Sequence, residues 1–207
     1  MNVLGLRGRV SLRSPLCSSL EPSRKQIDGG ELKMLSNFDI EDMLKSVDTF
    51  AGVFSRDKMP TVSNNRRSGL SRSETAKRAK RSRGTDLDEC GVVNLDDDSG
   101  PGTHWVAYIV DKNLPIACYF DSFGMPPPKE IVRYLHKLSP KPLAYNSSQI
   151  QNISSILCGY YCVYVLKKFY RSERDINALY DILYSFDQEP VMDNEKKMLK
   201  IFTKPKV

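Results

Sequence analysis

With two histidines, His104 and His136, and five cysteines, the chain has few places where acid–base or nucleophilic chemistry can sit. His104 lies in the β-type run Thr103–Val110 and Asp121 closes the next one, Pro115–Asp121. If Lys112–Asn113 is the two-residue turn between them, residues equidistant from that turn pair, and His104 faces Asp121. Cross-strand partners have Cβ atoms about 4.5–5.5 Å apart, close enough for a carboxylate to accept an imidazole N–H and hold one tautomer. Cys158 opens a strongly apolar helix and is followed by Gly159, which leaves the backbone amides accessible. A thiolate there is favoured by the helix dipole and by a nearby imidazolium. From composition alone a small buried hydrophobe is an equal reading of Cys158, and a satisfied core histidine is the ordinary reading of a lone His104. The co-occurrence of His104, Asp121 and Cys158 turns the second toward a nucleophile–base–acid arrangement. Cys162, one turn into the helix, reads as core with Val165, Leu166 and Phe169, and His136 reads as a surface residue on the exposed side of its helix.

These residues need elements to hold them. Ser36 followed by Asp39 has the form of a capping box, and Phe38, Ile40, Leu44 and Val47 recur at helical spacing. Phe50–Met59 reads as a turn with a short extended piece. Gly91–Leu95, Thr103–Val110 and Pro115–Asp121 are β-branched and aromatic runs separated by turn clusters, apolar on both faces, as in a central sheet. Glu130–Leu138 carries a helical stripe, Leu143–Gln149 is extended, Cys158–Tyr170 is a helix, and Ile176, Leu179, Leu183 and Phe186 mark another, with a last short helix over Asn194–Phe202. No internal repeat is visible.

The chain has 207 residues, 40% of them hydrophobic and 27% charged, enough for one globular domain with tails. Its longest apolar run, Leu157–Leu166, is half of the roughly 20 residues a spanning helix needs. Cys17, Cys90, Cys118, Cys158 and Cys162 make an odd set without CxxC pairing, and no secretory h-region precedes them. A reduced, intracellular setting follows, in which the sequons at Asn146 and Asn152 are chance matches, and structural zinc is not expected. Net charge is +6, but it is concentrated: within residues 63–85, Arg66, Arg67, Arg72, Lys77, Arg78, Lys80, Arg81 and Arg83 stand against the single acid Glu74, and the rest of the chain is near neutral. That segment has too little apolar surface to order itself. It reads as a flexible insertion at about 61–88, a candidate phosphate-contacting arm or nuclear address, with a plain solvated linker or an unspliced stretch as the alternative. Residues 1–33 read as a disordered leader, or as sequence ahead of a start at Met34, and 34–207 as the domain.

The motifs FAGVFSRDKMP, ECGVVNL, GTHWVAYIV, YFDSFG, Gln151 and SSILCGYYC together resemble the adenovirus endopeptidase (adenain) family of cysteine proteases, especially its Polinton/Maverick-type members. The resemblance covers about Ser36–Lys168 and rests on the order His, acid, Gln, Cys. The interval of 17 residues from His104 to Asp121 and of seven from Gln151 to Cys158 match. It implies an α+β papain-like fold with a central, mostly antiparallel sheet flanked by helices. It also implies that Cys158 attacks a peptide carbonyl, His104 is base and then acid, Asp121 orients His104, and Gln151 donates to the oxyanion. Gln149, nine residues before Cys158, is the rival donor. Trp105 would pack beside the base. The chain departs from the adenoviral members in carrying Asp at 121, the basic insertion, a shorter tail and no cysteine ahead of Gln151 for linkage to an activating peptide. The expectation is a thiol endopeptidase maturing precursors of a virus or mobile element, cutting next to glycine or other small residues. It would need no cofactor, with DNA as a candidate stimulator and partner, a polypeptide substrate, no membrane, a monomeric state, and the nucleus or virion as setting. A SUMO- or ubiquitin-like-protein protease and an inactive nucleic-acid-binding relic with a fold broken by the insertion are the alternatives.

Overall fold

The computed structural model describes residues 3–6, 32–60, 88–96 and 103–203. The β-branched and aromatic runs form strands β1 (Val3–Leu6), β2 (Phe50–Ser55), β3 (Glu89–Asn94), β4 (Trp105–Val110), β5 (Ala117–Phe120) and β6 (Leu143–Asn146). They make one sheet in the order β1-β6-β5-β4-β3-β2. Five helices pack around it: α1 (Asn37–Leu44), α2 (Lys129–Leu138), α3 (Cys158–Tyr170), α4 (Ile176–Tyr184) and α5 (Val191–Phe202). The α+β class is as expected, but the sheet is mixed rather than mostly antiparallel. β3–β4 and β4–β5 are antiparallel, whereas β5–β6, β2–β3 and β1–β6 are parallel. The reason lies in the connections, because α2 intervenes between β5 and β6 and a crossover helix returns the chain to the same end of the sheet.

Alternation on β4 separates two cores. Trp105, Ala107 and Ile109 face the layer of α1, α3, α4 and α5, while Val106, Tyr108 and Val110 face Ile131, Tyr134, Leu135 and Leu138 of α2. Both faces are covered, as the continuous apolar run of β4 requires. Burying one large apolar side chain contributes about 1.5–3 kcal/mol, so the large residues on both faces of this strand hold the sheet in place under the site.

The β4–β5 hairpin has a different register from the one a Lys112–Asn113 turn dictates. Val110 pairs with Ala117 and Ala107 with Phe120, leaving residues 111–116 as a longer connection. Leu114 is 1% exposed within it and so anchors the loop to the core. The shift is two residues, which preserves the face each side chain occupies. His104 and Asp121 are therefore diagonal neighbours rather than directly opposed.

The capping box forms: Ser36 Oγ accepts from Asp39 N, and Asp39 Oδ2 accepts from Ser36 N at 2.9 Å. Phe38, expected on the apolar stripe, is instead 81% exposed, while Ile40 and Leu44 are buried. The expected boundary at residue 34 also moves. Val3–Leu6 adds an edge strand to β6, Leu32 packs on the core and Tyr160 donates to Lys33 O at 3.0 Å, so parts of the leader belong to the folded body. Asp88 belongs to it too, accepting from Lys112 N. The rest of the leader and the segment 61–87, with its eight basic side chains, lie outside the described residues. β2 and β3, on either side of that segment, pair in parallel. No helix among the described residues is long and apolar enough to cross a membrane.

Candidate active site

Three chain segments meet at one end of the sheet: the residue before β4, the residue after β5 and the first residue of α3. Because β4 and β5 are antiparallel, the start of one and the end of the other coincide. Leu95 N donates to His104 O at 2.9 Å, fixing the entry to β4 against the end of β3. The His104 Nε2–H donates to Asp121 Oδ1 at 2.7 Å, and the Phe123 ring stacks on the imidazole with centroids 4.3 Å apart. The imidazole can neither tilt nor flip without losing one of these contacts.

Asp121 is completely buried and placed by its own turn. Its Oδ1 accepts a second bond from Phe123 N at 2.8 Å, and Gly124 N donates to Asp121 O at 2.8 Å. Gly124 has φ +72°, and a Cβ there would meet the Ser148 carbonyl carbon at 2.6 Å, so this turn requires glycine. Asn146, at the end of β6, grips the Asp121 backbone from the other side, accepting from its N–H at 2.9 Å and donating to its carbonyl. The Asn146 side chain is thus a buried structural amide. Nothing in the local sequence pointed to it, because the partners are 25 residues apart.

Cys158 is the first residue of α3, 4% exposed. The leading amides of a helix have no carbonyl one turn earlier to bond, so polarised N–H groups lie at its start. Gly159 serves packing rather than access: it is buried, and a Cβ on it would come within 3.3 Å of Leu35 and Trp105. This brings the helix start close to the strand that follows His104. Burial, the largest single influence on His104, pushes its pKa down. The hydrogen bond and charge of Asp121, together with the Cys158 sulfur, outweigh it and raise the pKa to about 9. With Nε2 engaged by Asp121, Nδ1 is the nitrogen left for Cys158; it is buried and has no hydrogen-bond partner.

Cys162 takes the core place expected of it. It is fully buried, its Sγ donates to Trp105 O at 3.4 Å, and burial pushes its pKa well up. Trp105 is 2% exposed and its ring lies against the start of the nucleophile helix at Gly159. His136 is half-buried rather than exposed, with a buried Nε2, and sits on α2 against the other core. Gln151 is completely buried. Ser122 Oγ donates to its Oε1 at 2.5 Å, its Nε2 donates to Ser155 O at 2.9 Å, and its backbone N–H donates to Ser122 O. The turn that holds the acid therefore also fixes Gln151. Gln149 is exposed and spends its amide on Gln151 O at 2.9 Å. Among the described residues no group of three or more His, Cys, Asp or Glu side chains could hold a metal ion.

No family model and no curated protein matches the chain. Solved structures that it resembles include the ASFV pS273R protease, at 18% identity and TM-score 0.42 over 74% of this chain and 67% of that one. Another is the SUMO protease Ulp1, at 17% identity and TM-score 0.43 over 81% of this chain and 80% of that one. A third is ChlaDub1 from Chlamydia trachomatis, at 17% identity and TM-score 0.38 over 67% of this chain and 71% of that one. The chain spans about two thirds of the length of the ASFV protease. Likeness at this level carries nothing about chemistry, which rests on the side chains described above.

Proposed function

We propose that the chain is a cysteine endopeptidase. The observation that carries this reading is the His104 imidazole, bonded through Nε2 to buried Asp121 and raised to a pKa of about 9 beside Cys158 at a helix start. At neutral pH such an imidazole is protonated, and the nucleophile of the reaction is the Cys158 sulfur. The thiolate adds to a peptide carbonyl carbon, the π pair moves to oxygen, and His104 passes its Nδ1 proton to the departing amine. Water, deprotonated by the same nitrogen, then releases the acyl group. Asp121 keeps the ring in one orientation through both halves.

Negative charge on the carbonyl oxygen would be met by the Cys158 backbone N–H and the Gln151 amide. One Gln151 hydrogen is committed to Ser155 O, leaving the other for the oxyanion. The resemblance of the motifs extends the proposal to precursor polypeptides of a virus or mobile element, cut next to glycine or small residues. The relic alternative assumed a fold broken by the insertion, and the paired β2 and β3 weigh against that. A peptide library incubated with the full chain tests the reading. Cleavage at defined sites that vanishes in Cys158→Ala is the expected result; a folded chain that cuts nothing, or whose Cys158→Ala variant still cuts, overturns it.

A further inference from the structure

Two consecutive residues of the C-terminal helix are buried and polar, Asn194 at 1% exposure and Glu195 at 7%, where an apolar pair would be the ordinary choice. Both reach the loop that carries Gln151. Asn194 Nδ2 donates to Ile150 O at 2.9 Å, on one side of Gln151. Glu195 Oε1 accepts from Asn152 N at 3.1 Å, on the other side. Glu195 Oε2 accepts from Ser155 Oγ at 2.6 Å, and Ser155 is the residue whose carbonyl holds the Gln151 amide. The Tyr161 hydroxyl, one turn into α3 from Cys158, donates toward the same Glu195 Oε1 at 3.3 Å. Resting on the endopeptidase reading, we propose that Glu195, supported by Asn194, is a positioning residue that sets where the Gln151 amide meets the oxyanion and ties α5 to the helix bearing the nucleophile.

The chemistry of the contacts explains the choice of residue. Asn152 N–H can only donate, so the group at Oε1 must be an acceptor. The Ser155 hydroxyl can donate or accept. Glutamine at 195 keeps an oxygen for Asn152 and turns its NH2 to the Ser155 hydroxyl, so it preserves the geometry. Alanine removes the grip altogether.

The experiment uses the full chain and the best peptide from the library. Glu195→Ala should lower kcat by about 10–100-fold with KM little changed, the scale of a misplacement near 1 Å in a reacting group. Glu195→Gln should restore most of that loss. In the Gln151→Ala background Glu195→Ala should cost nothing more, because the residue acts through Gln151. Ser155→Ala, a smaller excision, should lower kcat in the same direction and serves where Glu195→Ala fails to fold. Equal losses with and without Gln151, a loss confined to KM, or Glu195→Gln and Ser155→Ala that respectively fail to rescue and leave kcat unchanged would overturn the inference. A wild-type chain that cleaves no library peptide would instead overturn the endopeptidase reading beneath it.

Discussion

Asp111 and Asp121 are two fully buried carboxylates at opposite ends of the same pair of antiparallel strands, each one residue past its strand's end. Each accepts from the backbone N–H two residues on, Asn113 N at 3.0 Å for Asp111 and Phe123 N at 2.8 Å for Asp121. The local device is the same; the partner differs. Asp111 meets the Arg174 guanidinium, which never gives up its proton, and Arg174 also reaches Asp88 at 3.3 Å and lies over the Tyr170 ring. Asp121 meets an imidazole that exchanges its proton within the accessible pH range, and keeps a second oxygen, Oδ2, buried and without a hydrogen bond. Burial and charge are common to both ends. Only the end with a titratable partner beside a nucleophile can do chemistry.

Substitution separates the two most sharply. Asp121→Asn should lower kcat by about 10⁴, as expected when the base loses its orienting acceptor. Asp111→Asn should leave kcat unchanged and destabilise by about 2 kcal/mol, less than a fully buried pair would lose, because the guanidinium is partly exposed and Asp88 remains. Steady-state kinetics beside chemical denaturation of both variants reads the contrast. Two variants that lose activity in proportion to stability would erase it.

Next in size, Gln151→Ala should cost about 10²–10³ in kcat with KM nearly constant. The Gln149→Ala variant should cost far less, since that amide is spent on Gln151 O. A larger kcat loss for Gln149→Ala would reassign the donor.

A smaller effect follows from His104, whose pKa rises from an ordinary 6.5 to about 9 on folding. Its contribution to stability is fully present below about pH 6.5 and is lost as pH rises through about 9, up to about 3 kcal/mol at 1.36 kcal/mol per unit. The alkaline limb of kcat/KM should fall through the same region. Denaturation midpoints measured from pH 6 to 10 should decline in the wild type and stay flatter in Asp121→Asn, where the bond that raises the pKa is weakened. The Arg174 end supplies no counterpart in this window, so an equal decline in Asp121→Asn would place the titration elsewhere.

The sequence was informative wherever a signal is local. The Ser36–Asp39 box, the stripe of α2 and the apolar run of α3 each reflect contacts within a turn or two. The order of His104, Asp121 and Cys158 was legible because so few residues of those types compete. What escaped depends on distant partners. The β4–β5 register is set by Leu114 dropping into the core, a choice made by the whole layer and not by the Lys112–Asn113 pair. Strand direction at β6 follows from α2 crossing the sheet, and the edge strand Val3–Leu6 from an open β6 that only the assembled sheet presents. Asn146, Ser122 and Glu195 hold the site across 25 to 43 residues, and no spacing rule reaches that far.

The most direct test is to trap the acyl group. The best library peptide, presented as its ester so that acylation is fast and deacylation becomes rate-limiting, is mixed with the full chain and quenched in acid during turnover, and the digest is read by mass spectrometry. Nucleophilic attack by the residue at the start of α3 predicts the acyl mass on Cys158 in the wild type and its absence in His104→Ala. An acyl group on any other residue, or undiminished turnover of the ester by Cys158→Ala, would contradict it.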